Sequence, residues 1–246
     1  MENPLRRVTY ASVMEYYECF KEYMGLFWTN LVVQTHNVIE FFRVAASYYS
    51  NFAFAKVDLF LLLTYLFHNP FDISKRFLQK RGAKDVYAYG ETPLTSMGII
   101  AQECQISAKD TVYELGCGRG RACFCLNIHL GCRVVGIEYV PEFVERANAV
   151  KAKFGIEDKD LQFRQEDFLT MDFTGATVIY LYGTCLDKVS IKKLIERFKT
   201  LPAGVKIITV SYPLTDYTLE PIFEVMKRFP VPYPWGTADV YLHIKK

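Results

Sequence analysis

The chain has 246 residues, 51% of them apolar and 15% aromatic, and its 29 lysines and arginines against 27 aspartates and glutamates leave a formal charge of +2. That composition excludes a disordered or low-complexity chain, and a chain of this length buries a full core without needing disulfide staples. The near-neutral balance also separates it from strongly basic nucleic-acid binders.

The first 91 residues read as helical. Apolar residues recur at helical spacing through Val13, Tyr16, Tyr17, Phe20, Tyr23, Met24 and Phe27, a second run covers about 28–50 and a third about 56–68. Asn69-Pro70 supplies a cap and a residue suited to the first helical position, so a fourth helix is predicted to run from there to Gly82. Aromatics crowd this half: 16 of the 38 lie in the first 69 residues, which marks an added helical layer that covers a site or presents a substrate. The most apolar stretch, Phe52 to Phe71, is interrupted by Lys56, Asp58, His68, Asn69 and Pro70. It falls short of the ~20 apolar residues of a membrane span and reads as a buried helix, with a membrane or partner surface as the alternative. The basic segment Lys75 to Lys84 is a candidate contact for an acidic partner or membrane surface, against the plainer reading of a solvated helix end.

From residue 92 the pattern alternates helix and strand. Thr92-Pro93 opens a helix to about 105, and strands are predicted at about 111–115, 133–138, 161–164, 177–182 and 205–210. Helices fall between them at about 120–130, 141–154 and 187–200, with Asp187 as an N-cap, and two closing strands occupy about 223–245. Runs such as Val205-Lys-Ile-Ile-Thr-Val210 suit buried parallel strands, so the expected class is a doubly wound α/β sheet with ligands beyond the C-terminal strand ends.

The seven cysteines are an odd number, and four lie between 117 and 132, which reads as reduced thiols of a cytoplasmic protein. Their spacing does not suggest a metal site, and the opening MENPLRRVTY has no apolar core of a signal peptide.

The richest motif is Thr111-Val-Tyr-Glu-Leu-Gly-Cys-Gly-Arg-Gly-Arg-Ala122, a strand ending in Glu114 and Gly116, Gly118 and Gly120 leading into a helix. Glycines let backbone turn sharply and approach a ligand closely. The dinucleotide fingerprint needs a small residue where Arg121 stands, and no Gly-Lys-Ser/Thr is present, so neither that fold signature nor a P-loop fits. Glu114 would repel a pyrophosphate but suits a ligand with positive charge. Glu138 ends the next strand, where a carboxylate accepts both hydroxyls of a ribose. Asp167 follows the third strand, where it either accepts from an adenine amino group or caps its loop, with Phe168 packed on the ring. A cationic nucleoside without phosphates fits this set, and S-adenosyl-L-methionine is such a molecule.

Glu-Leu-Gly-Cys-Gly-Arg-Gly, Val-Gly-Ile-Glu138 and Glu-Asp167-Phe, in that order, resemble the class I S-adenosylmethionine-dependent methyltransferases over about residues 90–246. The resemblance implies a seven-stranded Rossmann-like sheet with an antiparallel strand near the C-terminus, and a division into an N-terminal helical region, 1–88, and a methyltransferase domain, 89–246. Tyr89-Gly90-Glu91-Thr92 is similar to the cofactor-covering segment of the non-SET lysine methyltransferases of the disruptor-of-telomeric-silencing type. This implies cofactor contacts for Tyr89, Gly90 and Thr92 and a protein lysine as the acceptor. Where that branch ends its fourth strand in Asn-Asn-Phe, this chain has Tyr182-Gly183-Thr184. Tyr182 is the first candidate to line the transfer site and contact the cofactor, and Tyr212 is the second. A lipid or hydrophobic small molecule is the alternative acceptor, and a cofactor-binding regulator without turnover is a third reading.

Overall fold

A computed structural model describes residues 34–83 and 85–246. The expected helix around Val13 to Phe27 lies outside the described residues, as do Cys19 and Lys84.

The sheet has seven strands: β1 (Thr111–Leu115), β2 (Arg133–Glu138), β3 (Leu161–Gln165), β4 (Val178–Leu181), β5 (Lys206–Val210), β6 (Phe223–Tyr233) and β7 (Gly236–Lys245). Their order is β3-β2-β1-β4-β5-β7-β6. The first five pair in parallel, and β7 runs antiparallel between β5 and β6. Strand order therefore reverses between β1 and β4, which opens a crevice beyond their C-terminal ends. The Rossmann-like sheet and its antiparallel closing strand agree with the sequence reading.

Helices α2 (Phe52–Thr64), α3 (Pro70–Lys80), α4 (Leu94–Glu103), α5 (Arg121–Leu130), α6 (Pro141–Lys153) and α7 (Lys188–Phe198) follow the helix α1, described over 34–48. Alternation along the strands sends Val112 and Tyr180 to one face, packed with Met97 of α4, Phe124 of α5, Phe143 of α6 and Phe54 and Leu61 of α2. Tyr113, Leu115 and Leu181 point the other way, onto Leu194 and Phe198 of α7. Residues 43–246, with α2, α3 and the whole sheet, make one compact unit.

Caps set the helix ends. Asn51 accepts from the Phe54 amide at 3.2 Å, so α2 begins at Phe52, earlier than hydrophobic spacing alone indicates, and it ends at Thr64. Asn69 and Pro70 open α3, and Asp187 accepts from the Ser190 amide at 2.7 Å to open α7. Thr92 does not cap α4: its hydroxyl is paired with the Tyr180 hydroxyl at 2.5 Å instead.

Helix α2 is buried along Phe54, Val57, Asp58 and Leu61, while Phe52 and Leu63, with Leu66 and Phe67 beyond its end, stay exposed. No helix among the described residues is long and apolar enough to cross a membrane. In the basic segment, Lys75 donates to the Tyr87 hydroxyl at 3.2 Å, and Arg81 lies 4.5 Å from the centre of the Tyr139 ring. Those two cations thus hold α3 and its following loop against the protein.

Candidate cofactor and methyl-transfer site

The glycine loop joins the C-terminal end of β1 to the start of α5. The amides of Gly116 and Cys117 both donate to the Ile137 carbonyl, at 2.8 and 2.9 Å, which stitches the loop to the end of β2. Gly118 has φ +54°, and a Cβ there would lie 3.2 Å from the Tyr89 hydroxyl. Its bare backbone is what lets the Tyr89–Thr92 segment close over the loop. Gly120 has φ +77°, and a Cβ would sit 2.3 Å from the Phe163 ring. Gly120 is therefore required for packing against β3, in addition to any service to a cofactor.

Glu114 and Glu138 close the ends of β1 and β2, and both are buried. Burial pushes the Glu114 carboxyl up to about 8, helped by Glu91 and Glu138 and opposed by the Cys123 thiol, which donates to Oε2 at 2.9 Å. A cation arriving beside Glu114 would restore its charge. Glu138 accepts from the Gly118 amide at 2.8 Å on one oxygen and from the Tyr139 and Val140 amides at 2.7 and 2.8 Å on the other. Burial raises its pKa as well, against the pull of those amides. With about four acceptor sites per carboxylate, three donating amides still leave Glu138 an acceptor position for a ribose hydroxyl. Asp167 uses Oδ1 to cap its own loop through the Leu169 amide at 2.9 Å. The cap reading is thus present. Phe168 approaches Gly116 to within 3.9 Å of where a Cβ would stand.

Two arginines of Gly-Arg-Gly-Arg each hold a different element onto the loop. Arg119 grips both Glu91 oxygens, with Nε at 2.7 Å from Oε1, and Tyr89 donates to the same carboxylate. Burial works against ionising Glu91, but the Arg119 charge and its hydrogen bonds hold that carboxyl down at about 2. Arg121 makes a two-point bond to Asp58 of α2 at 2.6 and 2.7 Å, and Tyr49 donates to Asp58 Oδ2 at 2.8 Å. From sequence, Arg121 registers only as a mismatch to the dinucleotide motif. Asp58 reads there merely as a charge interrupting an apolar run, because a contact between residues 63 positions apart leaves no trace in local pattern.

The cleft at the β1/β4 switch point is lined by Gly90, Glu91 and Thr92 on one side and by Glu114, Gly116 and Cys117 below. Arg121, Tyr180 and Tyr182 complete the wall. Tyr182 lies against Gly90, where a Cβ would meet its ring at 3.0 Å. It stacks on Tyr233 at 5.5 Å between ring centres, Tyr233 stacks on Trp235 at 5.3 Å, and Trp235 Nε1 donates to the Tyr182 hydroxyl at 3.1 Å. The antiparallel β6–β7 hairpin brings Tyr233 and Trp235 to this edge, and neither was singled out from sequence. Tyr212 is placed differently: it packs in the layer with Tyr217 and α7, and its hydroxyl donates to the Gly183 carbonyl at 3.4 Å. It supports the Tyr182-Gly183 turn from behind and is not part of the wall with Tyr182.

Five of the six described cysteines are buried and all six are free. No group of three or more His, Cys, Asp or Glu among the described residues is arranged to hold a metal ion.

The family model described as the ANTKMT methyltransferase domain matches residues 114–221. Over 163 residues the chain is 24% identical to a histone-lysine N-methyltransferase, H3 lysine-79 specific, of Dictyostelium discoideum, an alignment covering 60% of this chain and 8% of that protein. It is 27% identical over 144 residues to a sterol 24-C-methyltransferase of Debaryomyces hansenii, covering 58% of this chain and 32% of the other. This chain thus spans well under half the length of either relative. An RNA methyltransferase from Salinibacter ruber, solved with S-adenosyl-L-homocysteine, shares the fold with a TM-score of 0.52 and 23% identity, covering 63% of this chain and 94% of that one. The strand order around Glu114 and Glu138 and these matches together support a class I S-adenosylmethionine-dependent methyltransferase.

Proposed function

We propose that this protein transfers a methyl group from S-adenosylmethionine to a lysine side chain of a protein. The observation that carries this reading is the aromatic wall of Tyr182, Tyr233 and Trp235 beside the cofactor cleft. The sequence similarity to a histone-lysine N-methyltransferase supports it.

The cofactor supplies an electrophilic methyl on a sulfonium, open to in-line displacement by an amine. The protein's part is binding, alignment and exclusion of water. Glu114 would receive the cofactor's ammonium and Glu138 a ribose hydroxyl, while the Glu91–Arg119 pair keeps the covering segment down. The stacked rings would strip water from an incoming side chain, which disfavours the ammonium form, so its proton leaves to bulk solvent and the amine lone pair is free to attack. Trp235, by bonding the Tyr182 hydroxyl, fixes the ring that narrows the entrance.

The sterol methyltransferase similarity favours a second reading, in which the same wall and the exposed apolar residues of α2 receive a lipid. Incubation with methyl-labelled S-adenosylmethionine and a cell lysate separates the two. Label in protein, recovered as methyllysine after hydrolysis, supports the proposal. Label confined to the lipid fraction replaces it with the second reading, and cofactor binding without label in either fraction removes both.

A further inference from the structure

S-adenosylmethionine carries two positive groups, the sulfonium and the ammonium, and one negative group, the carboxylate. Glu114 answers the ammonium, so a cation is needed where the carboxylate lies. Among the described residues, three charged side chains line the cleft, Glu91, Glu114 and Arg121, and of these Arg121 is the positive one. The neighbouring Arg119, paired with Glu91 through Nε and Nη2, does not line the cleft.

Arg121 is gripped in the same two-point way, but it lines the cleft. Asp58 engages Nε and Nη2, and Nη1 is not used by that pair. The Asp58 side chain is fully buried and that of Arg121 is 15% exposed. A two-point bond fixes the guanidinium plane, and Tyr49 takes up a further lone pair of Asp58. The cost of removing the guanidinium from water is thus met on folding, before any ligand arrives, and its orientation is set in advance.

We propose that Arg121, locked in place by Asp58 of helix α2, is the receptor for the cofactor's carboxylate. This rests on the S-adenosylmethionine assignment and adds to it. It makes the helical segment before residue 88 a working part of the cofactor site, beyond any role toward substrate.

Calorimetry with two ligands tests it: S-adenosylhomocysteine, which has the amino-acid carboxylate, and methylthioadenosine, which lacks the amino-acid group altogether. The variants are R121K, which keeps a charge for Asp58, and the double variant D58N/R121Q, which removes both charges and leaves no buried ion alone. Loss of one charge-assisted contact corresponds to about tenfold or more in affinity. The expected result is that loss for S-adenosylhomocysteine in the double variant, a smaller loss in R121K, and methylthioadenosine affinity within about twofold of wild type throughout. Equal losses for both ligands, or no loss for either, overturn the proposal. A wild-type protein that binds neither ligand overturns the cofactor assignment and the proposal with it.

Discussion

Glu114 offers a direct measure of the charge a ligand brings to this cleft. Burial, with Glu91 and Glu138 nearby, raises its carboxyl to about 8 from an ordinary 4.5. In the ligand-free protein near neutral pH the carboxyl is then largely protonated. An ammonium placed beside it favours the carboxylate, so binding expels that proton. Because the ligand selects the ionised form, affinity for S-adenosylhomocysteine rises with pH by up to about tenfold per unit until the carboxyl's own pKa is passed, then levels off. Calorimetry near pH 7 in two buffers of different ionisation enthalpy should register release of nearly one proton per ligand. E114Q should abolish the release and flatten the profile. Stability of the ligand-free protein moves the other way. The folded pKa lies above the unfolded one, so stability declines as pH rises from about 4.5 to about 8. E114Q should therefore resist urea better than wild type in mild alkali and lose that advantage in acid. Wild-type affinity that is unchanged across this range, or proton uptake on binding, would refute the placement of an ammonium at Glu114.

Asp58→Ala leaves a buried guanidinium without its partner and should cost about 3–5 kcal/mol in urea unfolding, most of it regained in the D58L/R121M double variant; a loss below about 1 kcal/mol would show the pair to be well solvated. Gly120→Ala combines a positive φ with a collision on Phe163 and should destabilise by about 2 kcal/mol or more, read as a lower melting temperature. Glu138→Ala removes the group that anchors the Gly118, Tyr139 and Val140 amides, and Gly118→Arg fills the space under Tyr89, so both should abolish or strongly weaken S-adenosylmethionine binding by calorimetry. Unchanged affinity in both variants would contradict the site. Trp235→Ala should lower kcat/KM for the acceptor and leave cofactor affinity alone, and an equal fall in cofactor affinity would assign Trp235 to the wrong half of the cleft.

Much of this protein is written in local pattern. The parallel strands, the glycine loop, the Asn69 and Asp187 caps and the carboxylates at the ends of β1 and β2 depend on residues within a few positions of one another. Short-range periodicity and turn chemistry report such features. The cofactor class follows from them, because the charge and order of the strand ends constrain the ligand. Four things required the folded chain. Arg121 meets Asp58 across 63 residues, and Arg119 meets Glu91 across 28. Trp235 reaches Tyr182 across 53, through a hairpin whose antiparallel return alone brings it to the cleft. Tyr212, two residues past the end of β5 where Tyr182 is one past the end of β4, is turned to the opposite layer by the alternation of the sheet and the positive φ of Ser211. A sequence displays which residues are able to bind or pair, but long-range pairing depends on which surfaces the sheet and its helices bring face to face. Hydrophobic packing decides that, and it joined the N-terminal helix α2 to the cofactor loop through one buried ion pair.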